Sequence, residues 1–209
     1  MSLLSKLNWR YATKKFDPTK KIPADKLDEL LAAVRLSPSS YGLQHYKVIV
    51  VENADVRAKL REASFGQSQI TDASQVIVFA AETNIDANYV NEYINEIASV
   101  RQTSTESLAG LKDMLVNAVT NRTDEQKLVW AQKQAYIALG VLISAASELG
   151  IDACPMEGFN AQQYDEILGL KEKGVTATVI ATIGYRADDD QYAALPKVRK
   201  PHEKLFIHV

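Results

Sequence analysis

Five groups of residues, far apart in the chain, have types and spacing that could do chemistry. Arg10-Tyr11-Ala12-Thr13-Lys14-Lys15-Phe16 places three cations within six residues. Ser37-Pro38-Ser39-Ser40, followed by Gln44, is small and hydroxyl-rich. Gln67 and Gln69 offer amides just before Asp72-Ala73-Ser74. Pro155-Met156-Glu157-Gly158-Phe159 closes an apolar run, and its glycine lets the backbone come close to a partner. Lys197 and Arg199 follow Leu195-Pro196. Each group alone has an ordinary reading, since a run of charge is usually a solvated face and hydroxyls and glycines collect in turns.

Several familiar chemistries find no support. No Gly-x-Gly-x-x-Gly follows a strand and no Gly-Lys-Ser/Thr loop is present, which argues against a Rossmann dinucleotide site and a P-loop. His45, His202 and His208 have no ligand spacing, so no metal site is expected. Cys154 sits between Ala153 and Pro155 with no histidine near it in sequence and reads as a buried structural thiol rather than a nucleophile. Ser39 and Ser40 lack the Gly-x-Ser-x-Gly context of a hydrolase. Taken together, the five groups suit one ligand, a flavin mononucleotide (FMN). Its phosphate wants two or three Arg or Lys in charge-assisted bonds. Its ring edge wants amides, and its N5 wants a backbone N–H from a loop that can approach closely, which Gly158 permits.

The elements that would position these groups can be read from periodicity and caps. Residues 123–149 form the longest helical signal: Thr123 with Gln126 makes a capping box, and Gly150 supplies a stop. Leu128, Ala131, Ala135, Leu139, Leu142, Ala146 and Leu149 share a face, while Tyr136, Ile137, Val141 and Ile143 are apolar on others, which predicts a helix buried nearly all round. Residues 2–9 read as a short helix. Pro23 opens a second whose core face is Leu27, Leu30, Leu31 and Val34, and Pro38 forces its end by Ser37. Residues 46–51 and 75–81 are strands separated by a helix that Asn53 caps, which by itself suggests an α/β arrangement. Residues 84–121 carry helical patterns and no strand. Asn160 with Gln163 caps a helix that Gly169 closes, and residues 175–183, rich in β-branched residues, form a third strand.

Composition bounds the rest. With 209 residues, 46% hydrophobic, the chain fits one globular domain. A net charge of -2 gives no basic field for nucleic acid. A single cysteine excludes an internal disulfide and points to a reducing compartment. The N-terminus lacks a signal-peptide core, and the most apolar window, residues 135–146, falls short of a span, so the expected location is the cytoplasm with no membrane segment.

The quoted pieces, together with Gly169-Leu170-Lys171-Glu172-Lys173-Gly174, resemble in order and over nearly the whole chain the nitroreductase family, most of all the oxygen-insensitive NAD(P)H nitroreductases and the bacterial NAD(P)H-flavin reductases close to them. The resemblance implies an α+β fold with a mixed, mostly antiparallel sheet flanked by helices. It implies a single domain over residues 1–209, with residues 84–121 as a lid on the substrate site. It also implies a strand-swapped homodimer with one FMN in each of two interface sites, the apolar tail Phe206-Ile207-His208-Val209 joining the partner's sheet. Carried over by position, Arg10, Lys197 and Arg199 hold the phosphate, Lys14 reaches the pyrimidine side of the ring, and Tyr11 and Ala12 lie beside them. Pro38, Ser39 and Ser40 come from the second subunit, Gln67 and Gln69 lie near the ring edge, Pro155 and Met156 line the ring, and the Glu157 amide bonds N5 with Gly158 next to it.

The implied reaction is ping-pong: hydride passes from NAD(P)H to flavin N5, and then to a small-molecule acceptor such as a nitroaromatic, a quinone or a free flavin. No side chain is needed as acid or base, and Lys14 is the residue expected to stabilise charge on the reduced ring. The sequence departs from close relatives at Ala12, Gly42, His45-Tyr46 and Gln69, the last standing where a lysine is usual and so expected to make the flavin harder to reduce. Alternatives are an FMN storage or sensing protein, a family member that cleaves or dehalogenates its substrate, and a ligand-free structural domain.

Overall fold

Four strands form one sheet: β1 (Tyr46–Val51), β2 (Gln75–Glu82), β3 (Asp152–Met156) and β4 (Val175–Gly184). The computed structural model describes residues 2–209. All eight residues of β2 are buried, and its nearly unbroken apolar run is what a strand covered on both faces requires. The strand order is β1-β2-β4-β3, so β2 and β4 are central. All three pairings are antiparallel, running from Tyr46 opposite Ala81 to Met156 opposite Ile180. The intervening helix therefore does not make a parallel crossover, and the α/β expectation from strand–helix–strand order gives way to the α+β fold. The parallel component of the sheet is a single bridge, Ala12 with Ala153, on the outer edge of β3.

Helices cover both faces: α1 (Leu3–Trp9), α2 (Ala24–Arg35), α3 (Ala54–Glu62), α4 (Gln69–Asp72), α5 (Ala87–Arg101), α6 (Ala109–Thr120), α7 (Asp124–Glu148), α8 (Ala161–Leu168) and α9 (His202–Leu205). The caps form as their side chains dictate: the Thr123 capping box opens α7, Asn53 and Asn160 accept amides three residues on, and Gly169 takes positive φ at the end of α8. One core lies between α7, α2 and the sheet, around Leu30, Leu142, Ile77 and Val179. A second lies on the other sheet face around Leu60, Ile70, Tyr164 and Val78. A third, smaller one joins α5 and α6 to the first half of α7 through Val90, Ile94, Leu115 and Ala131. Residues 84–121 thus hold α5 and α6 without a strand, and pack on Leu43, on Ala81 of β2 and on the first half of α7.

Two expectations are corrected. α7 is not buried all round: Val129, Tyr136 and Ile137 are 43%, 41% and 42% exposed, because the sheet and α2 cover only one side of it. α7 is also long and apolar enough to cross a membrane, with a mean hydropathy of 1.2 over its best window, where a short window had been expected. Its packing against α1, α2 and all four strands makes it a core helix. The strand β3 was unforeseen because Pro155 sits within it. Proline removes a ladder donor and is tolerated here because β3 is an edge.

Candidate functional site

The cationic loop at residues 10–16 is laid along β3. Beside the Ala12–Ala153 bridge, the Thr13 amide donates to the Ala153 carbonyl at 3.4 Å. What holds the loop is Asp190. Its Oδ2 accepts the Tyr11 hydroxyl at 2.7 Å and the amides of Lys14 and Lys15 at 2.9 and 3.0 Å, and its Oδ1 accepts the Tyr192 amide at 3.1 Å. Burial opposes a charge there, but these donors keep the carboxyl below the usual range. Burial and the same carboxylate push the Tyr11 phenol up. The Tyr11 hydroxyl is therefore committed to holding the loop. Asp190 was missed, since nothing in sequence separates it from Asp188 and Asp189.

Arg10, Lys197 and Arg199 lie close enough together for their charges to act on one another. The Lys197 Nζ donates to the Asn8 carbonyl. Burial and then Arg199 lower the Arg10 pKa; burial and then Arg10, Arg199 and Arg186 lower that of Lys197. Among the described residues none of these three forms a salt bridge, and the buried Nε of Arg10 has no hydrogen-bond partner. Cations held together without a carboxylate between them suit a phosphate. Arg186, also missed, is the cation that is neutralised. Its Nε donates to Asp152 at 2.8 Å, its Nη2 lies 2.6 Å from the same carboxylate without an aligned hydrogen bond, and its guanidinium stacks 4.3 Å from Trp9 and 4.6 Å from Tyr11.

The end of β3 forms the other half of the site. Met156 is buried, with the Thr182 hydroxyl 3.9 Å from its sulfur. After it the chain leaves the sheet, and among the described residues the amides of Glu157 and Gly158 have no acceptor. Gln67 Nε2 donates to the Gly158 carbonyl at 2.7 Å and to the Ser64 carbonyl at 3.0 Å, and a Cβ on Gly158 would stand 3.3 Å from that nitrogen. The Tyr136 hydroxyl donates to Glu157 Oε1 at 2.6 Å. The exposed Lys14 lies near enough to Cys154 to pull its thiol pKa down, but burial outweighs this and the thiol is raised, as a structural cysteine requires.

The remaining expected residues lie apart. Gln69 is buried at the start of α4. Pro38, Ser39 and Ser40 belong to a loop held by α5, by α7 and by itself: the Ser40 amide donates to Gln134 Oε1 and the Gln44 amide to Ser39 Oγ, both at 2.9 Å. Within one chain no hydrogen bond among the described residues links this loop to the cation cluster or to the end of β3.

Known proteins resemble this chain in sequence and in fold. The profile described as "Nitroreductase family" matches residues 7–185. The chain is 33% identical over 222 residues to an oxygen-insensitive NAD(P)H nitroreductase of Salmonella typhimurium, covering 100% of both. Its fold superposes on the ydfN protein of Bacillus subtilis with a TM-score of 0.88 at 23% identity, covering 99% of this chain and 98% of the other. It also matches a protein of Exiguobacterium sibiricum crystallised in complex with FMN, with a TM-score of 0.84 at 19% identity, covering 100% and 98%.

Proposed function

The chain belongs to the nitroreductase family, and from that premise we propose that it is an FMN-dependent NAD(P)H oxidoreductase that works as a homodimer and reduces small acceptors such as nitroaromatics, quinones or free flavin. The observation that carries the reading is the meeting of three carboxylate-free cations, Arg10, Lys197 and Arg199, with a strand end whose two amides lack acceptors. That pairing fits FMN at both its phosphate and its ring.

In this reading Arg10, Lys197 and Arg199 hold the phosphate, and Asp190 keeps Arg10 and Lys14 in place by ordering the loop between them. Pro155, Met156 and the amides of Glu157 and Gly158 form the wall against the ring, and Gln67 fixes that wall from behind. Bound FMN supplies the hydride relay, accepting from a nicotinamide and giving to an acceptor. Lys14 provides positive charge on the same side and, among the described residues, has no ion-pair partner. Gln69, at the start of α4, would offer a dipole where the resemblance places a lysine in close relatives. Pro38, Ser39 and Ser40 would complete the site from the second subunit.

The dimer is supported by the exposed apolar face of α7, by the exposed tail at residues 206–209 and by the place of β1 at the edge of the sheet. A storage protein of the same fold would bind FMN equally well, so turnover is the discriminating observation. Mixing the oxidised protein with NADH in a stopped-flow spectrometer is expected to bleach the flavin band within seconds. Addition of menadione or nitrofurazone should then restore it. A band that persists for minutes under NADH and NADPH alike would refute the enzymatic reading.

A further inference from the structure

Between the last sheet pair, Met156 with Ile180, and the start of α8, the backbone that faces the proposed ring site is pinned at few points. Gln67 holds the Gly158 carbonyl at 2.7 Å, and the Ala63 carbonyl takes the Asn160 amide at 2.8 Å. Both act at or beyond Gly158, and the Glu157 carbonyl takes only the local Phe159 amide, at 2.9 Å. The single side-chain bond on Glu157 itself comes from the Tyr136 hydroxyl at 2.6 Å.

This contact follows from the chain's geometry. Twelve residues of α7 from Tyr136 to Glu148 rise about 18 Å, and the return from Asp152 to Glu157 covers about 16 Å in the opposite sense. Residues 136 and 157 are therefore brought level with each other. Burial, then the hydrogen bond to Glu157 and its charge, push the Tyr136 phenol up to about 12, so it donates throughout the neutral range. The bond is short and charge-assisted, the kind with the strongest geometric hold. Within one chain Tyr136 is 41% exposed, so packing inside the chain does not account for its hydroxyl being aimed at this carboxylate.

We propose that Tyr136 is a positioning residue whose hydroxyl, acting through the Glu157 carboxylate, fixes the acceptor-free amides of Glu157 and Gly158 where they meet the flavin ring. The inference rests on the FMN reading above and adds to it a residue that reading does not assign. Tyr136→Phe keeps the ring and removes only the hydroxyl, so folding, dimerisation and phosphate binding are expected to persist.

The test combines two readouts on Tyr136→Phe. In cofactor-free protein, 15N relaxation should move the Glu157 and Gly158 amides from the rigid range, an order parameter of about 0.85, to below about 0.6. In FMN-loaded protein, the preference for reduced over oxidised flavin should change about tenfold, which for a two-electron couple is about 30 mV in midpoint potential. Glu157→Ala, which removes the acceptor, should free the same amides as Tyr136→Phe, with no further loss of order in the double variant. Rigid amides and an unchanged potential in a Tyr136→Phe protein that binds FMN normally would overturn the inference alone. Wild-type protein that fails to bind FMN would instead overturn the function on which it rests, and the inference with it.

Discussion

Arg10 and Arg199 are expected to act on the same phosphate but not with the same force. Arg10 is half-buried, with an Nε that lacks a partner, whereas Arg199 is exposed and donates to its neighbour's carbonyl, Val198, at 2.7 Å. Arg10→Ala should weaken FMN by about 2 to 3 kcal/mol and Arg199→Ala by about 1, the range for losing a charge-assisted bond in less and more solvated settings. Equilibrium dialysis would check the order; equal losses, or none, would contradict it. His45 carries a separate prediction. It is fully buried against Trp130 with ring centroids 4.1 Å apart, and neither ring nitrogen has a partner, the nearby Trp130 backbone not being aligned to bond it. Burial, reinforced by the Arg122 charge, pushes its pKa down to about 4 from 6.5. The unfolded chain binds the proton more readily, so stability is whole above about pH 6.5 and falls as pH drops toward 4, by about 3 kcal/mol. Denaturant titrations should show this slope in the wild type and lose it in His45→Phe; parallel pH profiles for the two would refute it.

At the scale of elements, the loop that carries Ser39 and Ser40 is tied to α5. Tyr93 of α5 donates to the Tyr41 carbonyl at 2.9 Å and Tyr89 to that of Leu43 at 3.3 Å. Tyr41 and Gln44 hold positive φ, of 57° and 43°, a conformation that side chains disfavour. Gly42 sits between them at φ 75°, and a Cβ there would come within 2.4 Å of the Tyr93 hydroxyl. Gly42→Ala should therefore cost about 2 kcal/mol, roughly 4 to 8 °C in Tm for a chain of this size, with partial recovery when combined with Tyr93→Phe. A calorimetric Tm within a degree of wild type would contradict the fit. Sequence reading had noted Gly42 only as a departure from relatives, because the tyrosine it accommodates is 51 positions away. Helices and strands with caps and continuous apolar runs, such as α7, α8, β1 and β2, were legible because local residues determine them. β3 was not, since a proline hides it and only its edge position makes that proline harmless. The exposure of Tyr136 and Ile137 was also illegible, because an apolar residue reads the same whether its own chain or another covers it.

For the whole molecule, the candidate site was legible in its ligand-facing residues and illegible in its supports. Arg10, Lys197 and Glu157 announce themselves by type and loop context. Asp190, Arg186 and Tyr136 act on them from across the fold and resemble ordinary surface or core residues in the sequence. Within one chain, Pro38, Ser39 and Ser40 have no bond to the rest of the site, and the tail at residues 206–209 lies exposed. Both features are accounted for together if two copies exchange these segments. The measurement that bears most directly on that claim is the FMN content and mass of freshly purified protein, read by visible absorption alongside light scattering. The account predicts a yellow dimer that releases one FMN per chain on denaturation. A colourless monomer that takes up no added FMN would contradict it.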